Sequence, residues 1–371
     1  MSDVARRQEF KLRPLIDVAT LQRGYDLPVQ ARTEGSYPIF AANGPVGFHG
    51  FAKCKGPGVV TGRSGTIGKV HFVDIDYWPL NTSLYVTNFH ANEPRWVYYM
   101  LTAFGLERFS QGAGVPTLNR NLVHGEPIAV PPLPEQRRIA AILDQADALR
   151  AKRQEALAQL ESLTQSVFIE MFGDPVVNSM GWQVVELGSL GTLERGISKA
   201  RPRNAPELLD GPYPLIQTGD VANCDGYIRK YVSSYSEAGL RQSRLWPEGT
   251  LCITIAANIA KTGILKFAAC FPDSVVGYLA PNVGTVEYVR VWLSFLQKTL
   301  EDSAPMSAQK NINLAILRQL EVPLPPQPLQ DRFSSCLKSI ESMKASHRAA
   351  LAESNALFAS LQHRAFSGQL L

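Results

Sequence analysis

The stretch VVTGRSGTIGKV, residues 59–70, carries the residue types of a phosphate-binding loop: an apolar run, glycines, then Gly-Lys. Such a loop works by turning backbone amides and one ammonium toward an anion. The nucleotide-binding version requires four residues between its first glycine and the Gly-Lys pair, followed by Ser or Thr. Here five residues separate Gly62 from Gly68, and Val70 stands where a magnesium-binding hydroxyl belongs. Both departures remove chemistry, because spacing shapes the amide cradle and the hydroxyl holds the metal.

No other constellation points to catalysis. The six histidines (His49, His71, His90, His124, His347, His363) show neither HExxH nor HxxxH spacing, which argues against a metal site. GxSxG and GxGxxG are both missing. So are the cofactor loop and the Asn/Asp-Pro-Pro-aromatic tetrapeptide of methyltransferases that modify adenine. Asp74 and Asp76 sit two apart on a strand-like run and read as solvated surface.

Composition narrows the class. A chain of 371 residues, 45% hydrophobic and 19% charged, is long enough for two or three domains with proper cores. No apolar run reaches bilayer length, and MSDVARRQEFKLRP lacks the apolar centre of an export signal, so a cytoplasmic protein with no membrane partner is expected. The five scattered cysteines (Cys54, Cys224, Cys252, Cys270, Cys336) contain no CxxC and read as reduced, buried thiols. A net charge of +4 permits a nucleic-acid partner without requiring one.

What positions these residues is a duplication. TLQRG at 20–24 recurs as TLERG at 192–196, and YPIF at 37–40 recurs as YPLI at 213–216. RQEALAQLESLTQSVFIEMFG at 153–173 recurs as HRAALAESNALFASLQHRAFS at 347–367, with Ala156, Leu157, Leu163, Ser166 and Phe172 aligned at a constant offset of 194. IAVPPLPEQRRI at 128–139 matches LEVPLPPQPLQDRF at 320–333, read with two extra residues and with Gln330-Asp331 in place of Glu135-Gln136.

Each copy closes on a long helix. After Pro131, Pro132 and Pro134 no glycine or proline intervenes before Gly173. Ile139, Leu143, Ala146, Leu157, Leu160, Val167 and Met171 form an apolar stripe, flanked by a seven-residue row of Ile142, Leu149, Ala156 and Leu163. About 38 helical residues, roughly 57 Å, are expected. The second helix runs from about Pro328 to Ser367 with Phe333, Leu337, Ile340, Leu351, Phe358 and Leu361 on its stripe, and the two are expected to pack on each other. The regions before them alternate short apolar runs with Gly, Pro and Asn turns, a mixed α+β pattern.

This architecture resembles one family over the whole chain: the DNA-specificity (S) subunits of type I restriction–modification enzymes. The carriers are the twofold order of domain then helix, VPPLPEQRRIAAIL opening the first helix, the ends FIEMFGD and HRAFSGQL, and the glycine-containing RSGTIGKV. The resemblance implies a target-recognition domain at 1–130, a spacer helix at 131–174, a second recognition domain at 175–322 and a second spacer helix at 323–371. It implies an antiparallel helix pair and a pseudo-twofold repeat. It further implies a non-catalytic subunit that reads a bipartite double-stranded DNA site and recruits two methyltransferase (M) subunits and restriction/translocase (R) subunits. No cofactor would be bound by this chain; S-adenosylmethionine, ATP and Mg would belong to the partners. The alternative is a non-catalytic protein-binding adaptor with a coiled-coil spacer; an enzyme using nucleoside triphosphate on the 59–70 loop is the remaining rival.

Base edges are read by Arg, Lys, Asn, Gln, Ser and Thr. Candidate readers in the first domain are Arg63, Ser64, Thr66 and Lys69, then Thr117, Asn119 and Arg120 in GAGVPTLNRN. Those in the second are Asn258, Lys261 and Thr262 in AANIAKTG, then Gln309, Lys310 and Asn311 in MSAQKNIN. Arg201 and Arg203 in SKARPRN form a basic loop suited to phosphate. Residues 1–130 hold 13 Lys/Arg against 10 Asp/Glu, and residues 175–321 hold 14 against 13. Charge this weak must be gathered on one face, or the partners must supply much of the phosphate contact.

Overall fold

The computed structural model describes residues 10–112, 114–203, 205–256, 259–303 and 312–370. By its internal contacts the chain forms two units, 1–155 with 348–371, and 156–347. The dividing points fall inside both long helices.

In the first unit an antiparallel sheet orders its strands Thr20–Arg23, Ser83–Asn88, Gly58–Gly62, Val70–Val73. Both faces are buried. Val59 and Leu84 join the core under helix α1 (Pro94–Phe104), while their neighbours Val60 and Tyr85 join a second cluster with Phe40, Val73 and Tyr77. Successive strand residues point to opposite faces. A sheet covered twice therefore reads as the unbroken run GVV rather than as alternation. Helix α1 begins with Pro94 in its first turn, where a missing N–H costs nothing, and ends at Gly105 with φ +70°. A smaller sheet of Gly44–His49, Tyr37–Ala41 and Trp78–Pro79 covers the second face.

A short helix, α2 (Arg120–His124), follows, capped by the Asn119 carboxamide, which accepts the Asn121 N–H at 3.0 Å. Helix α3 (Leu133–Phe172) then runs 40 residues, roughly 60 Å.

The second unit repeats the plan. Strands Thr192–Arg195, Val275–Leu279, Leu251–Thr254 and Thr262–Leu265 keep the same order, and Gly226–Ile228 adds a parallel edge strand. Helices α4 (Thr218–Ala222) and α5 (Glu237–Arg241) lie within this half. Helix α6 (Val283–Ser303) corresponds to α1, α7 (Leu314–Arg318) to α2, and α8 (Gln327–Phe366) to α3. Helix α8 is again 40 residues long, displaced from α3 by 194 at both ends.

The helices pack antiparallel in each unit. In the first, Arg138 donates to the Leu370 carbonyl at 2.5 Å and Arg150 to the Asn355 carboxamide at 2.8 Å. In the second, Phe172 meets Phe333 with ring centres 5.1 Å apart, and Lys344 lies 3.7 Å from Glu161. The offset of 194 carries Arg150 onto Lys344 and Glu161 onto Asn355, so both crossings use equivalent positions.

Three expectations are corrected. Gln330, not Asp331, takes the place of Gln136. Gln136 and Gln330 are each 2% exposed, and each donates its side-chain amide to a carbonyl of the preceding proline pair, Pro131 at 2.9 Å and Pro325 at 2.8 Å. The second motif thus has no extra residues. Of the flanking helical row, Leu149 and Leu163 are exposed, whereas Phe168 and Phe172 are fully buried against Tyr288 and Phe333. Among the thiols only Cys252 and Cys270 are buried; Cys54 and Cys224 are half-buried and Cys336 is exposed.

Among the described residues no helix is long and apolar enough to cross a membrane, and no group of three or more His, Cys, Asp or Glu could hold a metal ion.

Candidate functional site

The 62–69 loop joins two antiparallel strands, so no helix N-terminus follows it. Three of its amides are already committed. Arg63 and Ser64 donate theirs to the Thr82 carbonyl at 2.9 and 3.1 Å, and Gly65 donates to the Pro116 carbonyl at 2.9 Å. Leu118 returns a hydrogen bond to the Arg63 carbonyl at 2.8 Å, and Ser64 and Thr117 form an antiparallel bridge. A Cβ on Gly62 would stand 1.7 Å from the Thr66 carbonyl oxygen, so the turn closes only around glycine. The loop is a tight strand connection that presents side chains, with these three amides unavailable to a phosphate.

Those contacts bring 62–69 and 110–120 together, and between them lies an open groove of about 570 Å³. It is lined by Arg63, Thr117, Asn119 and Arg120 together with Gln22, Arg23, Gln111, Leu84 and Leu118. Arg63 donates one Nη to the Asn81 carbonyl at 3.0 Å, which steadies its guanidinium. Helix α2 grips both sides of Leu21: Arg120 reaches its carbonyl at 3.4 Å, and His124 Nε2 accepts its N–H at 3.1 Å. That grip fixes the strand whose last residues are Gln22 and Arg23. Burial, then the neighbouring Arg120 charge, hold the His124 pKa below its ordinary value, which keeps the ring able to accept. Arg23 makes a loose, exposed pair with Asp26 at 3.7 Å.

Three arginines and four uncharged polar residues thus line one groove whose lining includes no Asp or Glu. Guanidinium forks match both phosphate oxygens and the major-groove edge of guanine, and carboxamides match adenine.

The structure does not place the remaining first-domain candidates in this lining. Ser64 and Thr66 are half-buried within the loop, and Lys69 extends outward to the Asn43 carboxamide at 2.9 Å. In the second unit, Lys261 and Thr262 line a different recess of about 320 Å³ with Glu161, Asp225, Arg290, Glu341 and Lys344, where carboxylates and cations balance. Arg201 donates to the Ser198 and Ala200 carbonyls, and Arg203 pairs with Asp273 at 2.7 Å. Asn258, Gln309, Lys310 and Asn311 lie outside the described residues.

Sequence reasoning missed Gln22, Arg23 and Gln111. The signal for two of them was present in TLQRG, used only as a repeat landmark. Its counterpart TLERG puts Glu194 at the place of Gln22, and Glu194 pairs there with Arg244.

Residues 7–162 and 180–353, one span in each half, match the family described as Type I restriction modification DNA specificity domain. The chain belongs to that family.

Among relatives of this specificity-domain chain, a protein of Methanocaldococcus jannaschii assigned as the MjaX type I restriction enzyme specificity subunit is 21% identical over 283 residues. That similarity covers 71% of this chain and 65% of the relative, so the specificity domains here span about two thirds of its length. The crystal structure of the type I restriction–modification S subunit from M. genitalium superposes with a TM-score of 0.64 at 14% identity, covering 98% of each chain. A chain from a study of complex assembly and conformational transition of the type I R-M system gives 0.55 at 17% identity, over 98% of this chain and 99% of that one. At such identities the likeness speaks for the fold.

Proposed function

We propose that this chain is the non-catalytic specificity subunit of a type I restriction–modification system, reading a two-part double-stranded DNA site and recruiting methyltransferase and restriction/translocase subunits. The observation that carries this reading is the first-unit groove, where Arg23, Arg63 and Arg120 meet Gln22, Gln111, Thr117 and Asn119 with no carboxylate in the lining. Neutralising phosphate and reading base edges need these groups.

In this reading S-adenosylmethionine, ATP and Mg belong to the partner subunits, and the chain's own role is to choose the sequence. The antiparallel helices set the permitted spacer between half-sites. The second half-site is read by the other domain, whose candidates include Lys261, Thr262, Arg201 and Arg203.

Footprinting the purified chain with its methyltransferase partner tests the proposal. Protection of a split site is expected, with the first half lost in Arg63→Ala and the second half kept. Uniform weakening on unrelated sequences would mark Arg63 as a phosphate contact. Protein capture with no DNA protection at any salt concentration would favour the adaptor reading.

A further inference from the structure

We infer that Gln22 and Gln111 are base-reading residues of the first unit and that both read adenine, while the other uncharged groups of the groove hold its frame. This rests on the DNA-binding reading above and names what that same groove selects.

The assignment begins with the groups that are free. Of the four uncharged polar residues lining the groove, Asn119 accepts the Asn121 N–H with its carboxamide, and the Thr117 hydroxyl donates to the Gln111 carbonyl at 3.3 Å. Both are occupied by their own loop. Gln22 and Gln111 are exposed, and among the described residues neither carboxamide makes a hydrogen bond. Their backbones are nonetheless fixed, because Gln22 stands opposite Tyr85 and Gln111 opposite Thr117 in antiparallel ladders. An unspent carboxamide on a fixed backbone suits direct reading of a base edge.

The internal repeat supplies the second argument. TLQRG and TLERG end their strands in the same way. The Leu21 carbonyl is reached by Arg120 at 3.4 Å and the Leu193 carbonyl by Arg318 at 2.9 Å. A Cβ on Gly24 would stand 2.3 Å from the Leu80 carbonyl oxygen, and one on Gly196 2.2 Å from that of Phe271. Between these two fixed points each copy carries two side chains. Arg23 and Arg195 are alike, and both are exposed. Gln22 is replaced by Glu194, whose carboxylate is paired with Arg244. The arginine kept in both copies suits phosphate, which every DNA sequence presents. The exchanged position suits a base, which differs between half-sites.

Chemistry then selects the base. A carboxamide donates from one atom and accepts at its neighbour, which matches the N7 acceptor and N6 donor of adenine in the major groove. Guanine offers two acceptors there and suits Arg63 instead. An ionised Glu194 only accepts, so the second unit cannot repeat the adenine match at this position.

The test uses the full chain with its methyltransferase partner on the protected split site. Each adenine of the first half-site is replaced in turn by 7-deazaadenine, which keeps Watson–Crick pairing and removes the N7 acceptor. Wild type should lose roughly tenfold in affinity at one adenine for each glutamine. Gln22→Ala and Gln111→Ala should each bind the unmodified site roughly tenfold more weakly, and each should become insensitive to the analogue at its own adenine while still sensing it at the other. Neither should change the salt slope, whereas Arg23→Ala should flatten it by about 1 on any sequence. Melting temperatures check folding, and Gln22→Met and Gln111→Met, which keep the side-chain length, replace any alanine variant that unfolds. Analogue penalties that persist undiminished in both variants, or a first half-site insensitive to every replacement, overturn the assignment and leave the groove reading intact. Equal weakening of both variants across unrelated sequences also overturns it, and marks contacts to the DNA backbone. If wild type protects no split site, the underlying reading falls and this assignment with it.

Discussion

Gln136 and Gln330 stand 194 positions apart and hold the same post: each, buried in the first turns of its long helix, donates its side-chain amide back to a proline carbonyl just before that helix. Gln136 does more. Its Nε2 also reaches Asn92 at 2.8 Å, and its Oε1 accepts the Glu93 N–H at 2.8 Å. It thereby ties the start of α3 to the start of α1.

Gln136→Ala should therefore destabilise its unit by roughly 2–3 kcal/mol, since it strands buried partners. Gln330→Ala, which removes the single Pro325 contact described, should lower stability by about 1 kcal/mol. Urea unfolding of the two variants compares them, and equal losses would contradict the asymmetry.

The helix crossings make a second prediction. Lys344, whose side chain is 5% exposed, lies 3.5 to 3.7 Å from Glu161, Asp225 and Glu341. Lys344→Ala should destabilise by less than the about 3–5 kcal/mol of a fully buried pair, because water reaches Glu161. Burial and then Asp225 already raise the Glu161 pKa. A raised carboxyl disfavours the folded state as pH climbs through its folded value, and removing Lys344 raises it further. The deficit of the variant should therefore shrink on acidification toward pH 5, which thermal melts at two pH values would measure.

Histidines give the first unit an acid sensitivity. His124 and His71 both have pKa values held below 6.5, chiefly by burial, then by Arg120 and Lys69 respectively. A depressed imidazole stabilises the fold fully above 6.5, and that stability is lost as pH falls from there through the lower folded value. No histidine lies between residues 125 and 346. Hydrogen exchange at pH 7.5 and 5.5 should show the amides around Leu21 losing protection before those of Leu251–Thr254. His124→Gln, whose carbonyl can still accept from Leu21, should flatten that dependence.

The loop glycines differ in what they tolerate. Gly62→Ala collides with the Thr66 carbonyl and should lower stability by about 1–3 kcal/mol and abolish the first half-site footprint. Gly65 has φ +89° but no atom within 4 Å of a Cβ, so Gly65→Ala meets only backbone strain of about 1–2 kcal/mol. Equal footprints for the two variants would contradict this account.

Much of the architecture was legible because it is written twice. The offset of 194, found from Ala156, Leu157 and Phe172, recurs at both ends of α3 and α8. What the sequence hid depends on tertiary neighbours. Leu149 and Leu163 fit a heptad row, yet only the ends of the helices meet a globular core, so Phe168 and Phe172 are buried and those leucines are not. Arg63, Thr117, Asn119 and Arg120 were legible as polar residues in glycine-rich loops. Gln22, Arg23 and Gln111 were not, because the end of one strand and the two-residue strand Ser110–Gln111 reach the groove only after the Thr82 and Pro116 carbonyls close the loops.

That closure also separates two kinds of change. The 62–65 backbone is held by its own amides, and its tightest turn depends on one glycine, so the main chain keeps its path whatever side chains it carries. Exchanging Arg63 would leave those amide bonds in place, whereas Asn119 caps α2 and Arg120 holds the Leu21 carbonyl, so changing either also loosens the frame around the groove. If the groove reads DNA as proposed, a new preference is reached most simply through the one of these side chains that carries no part of the frame, Arg63, while the turn beneath it stays closed.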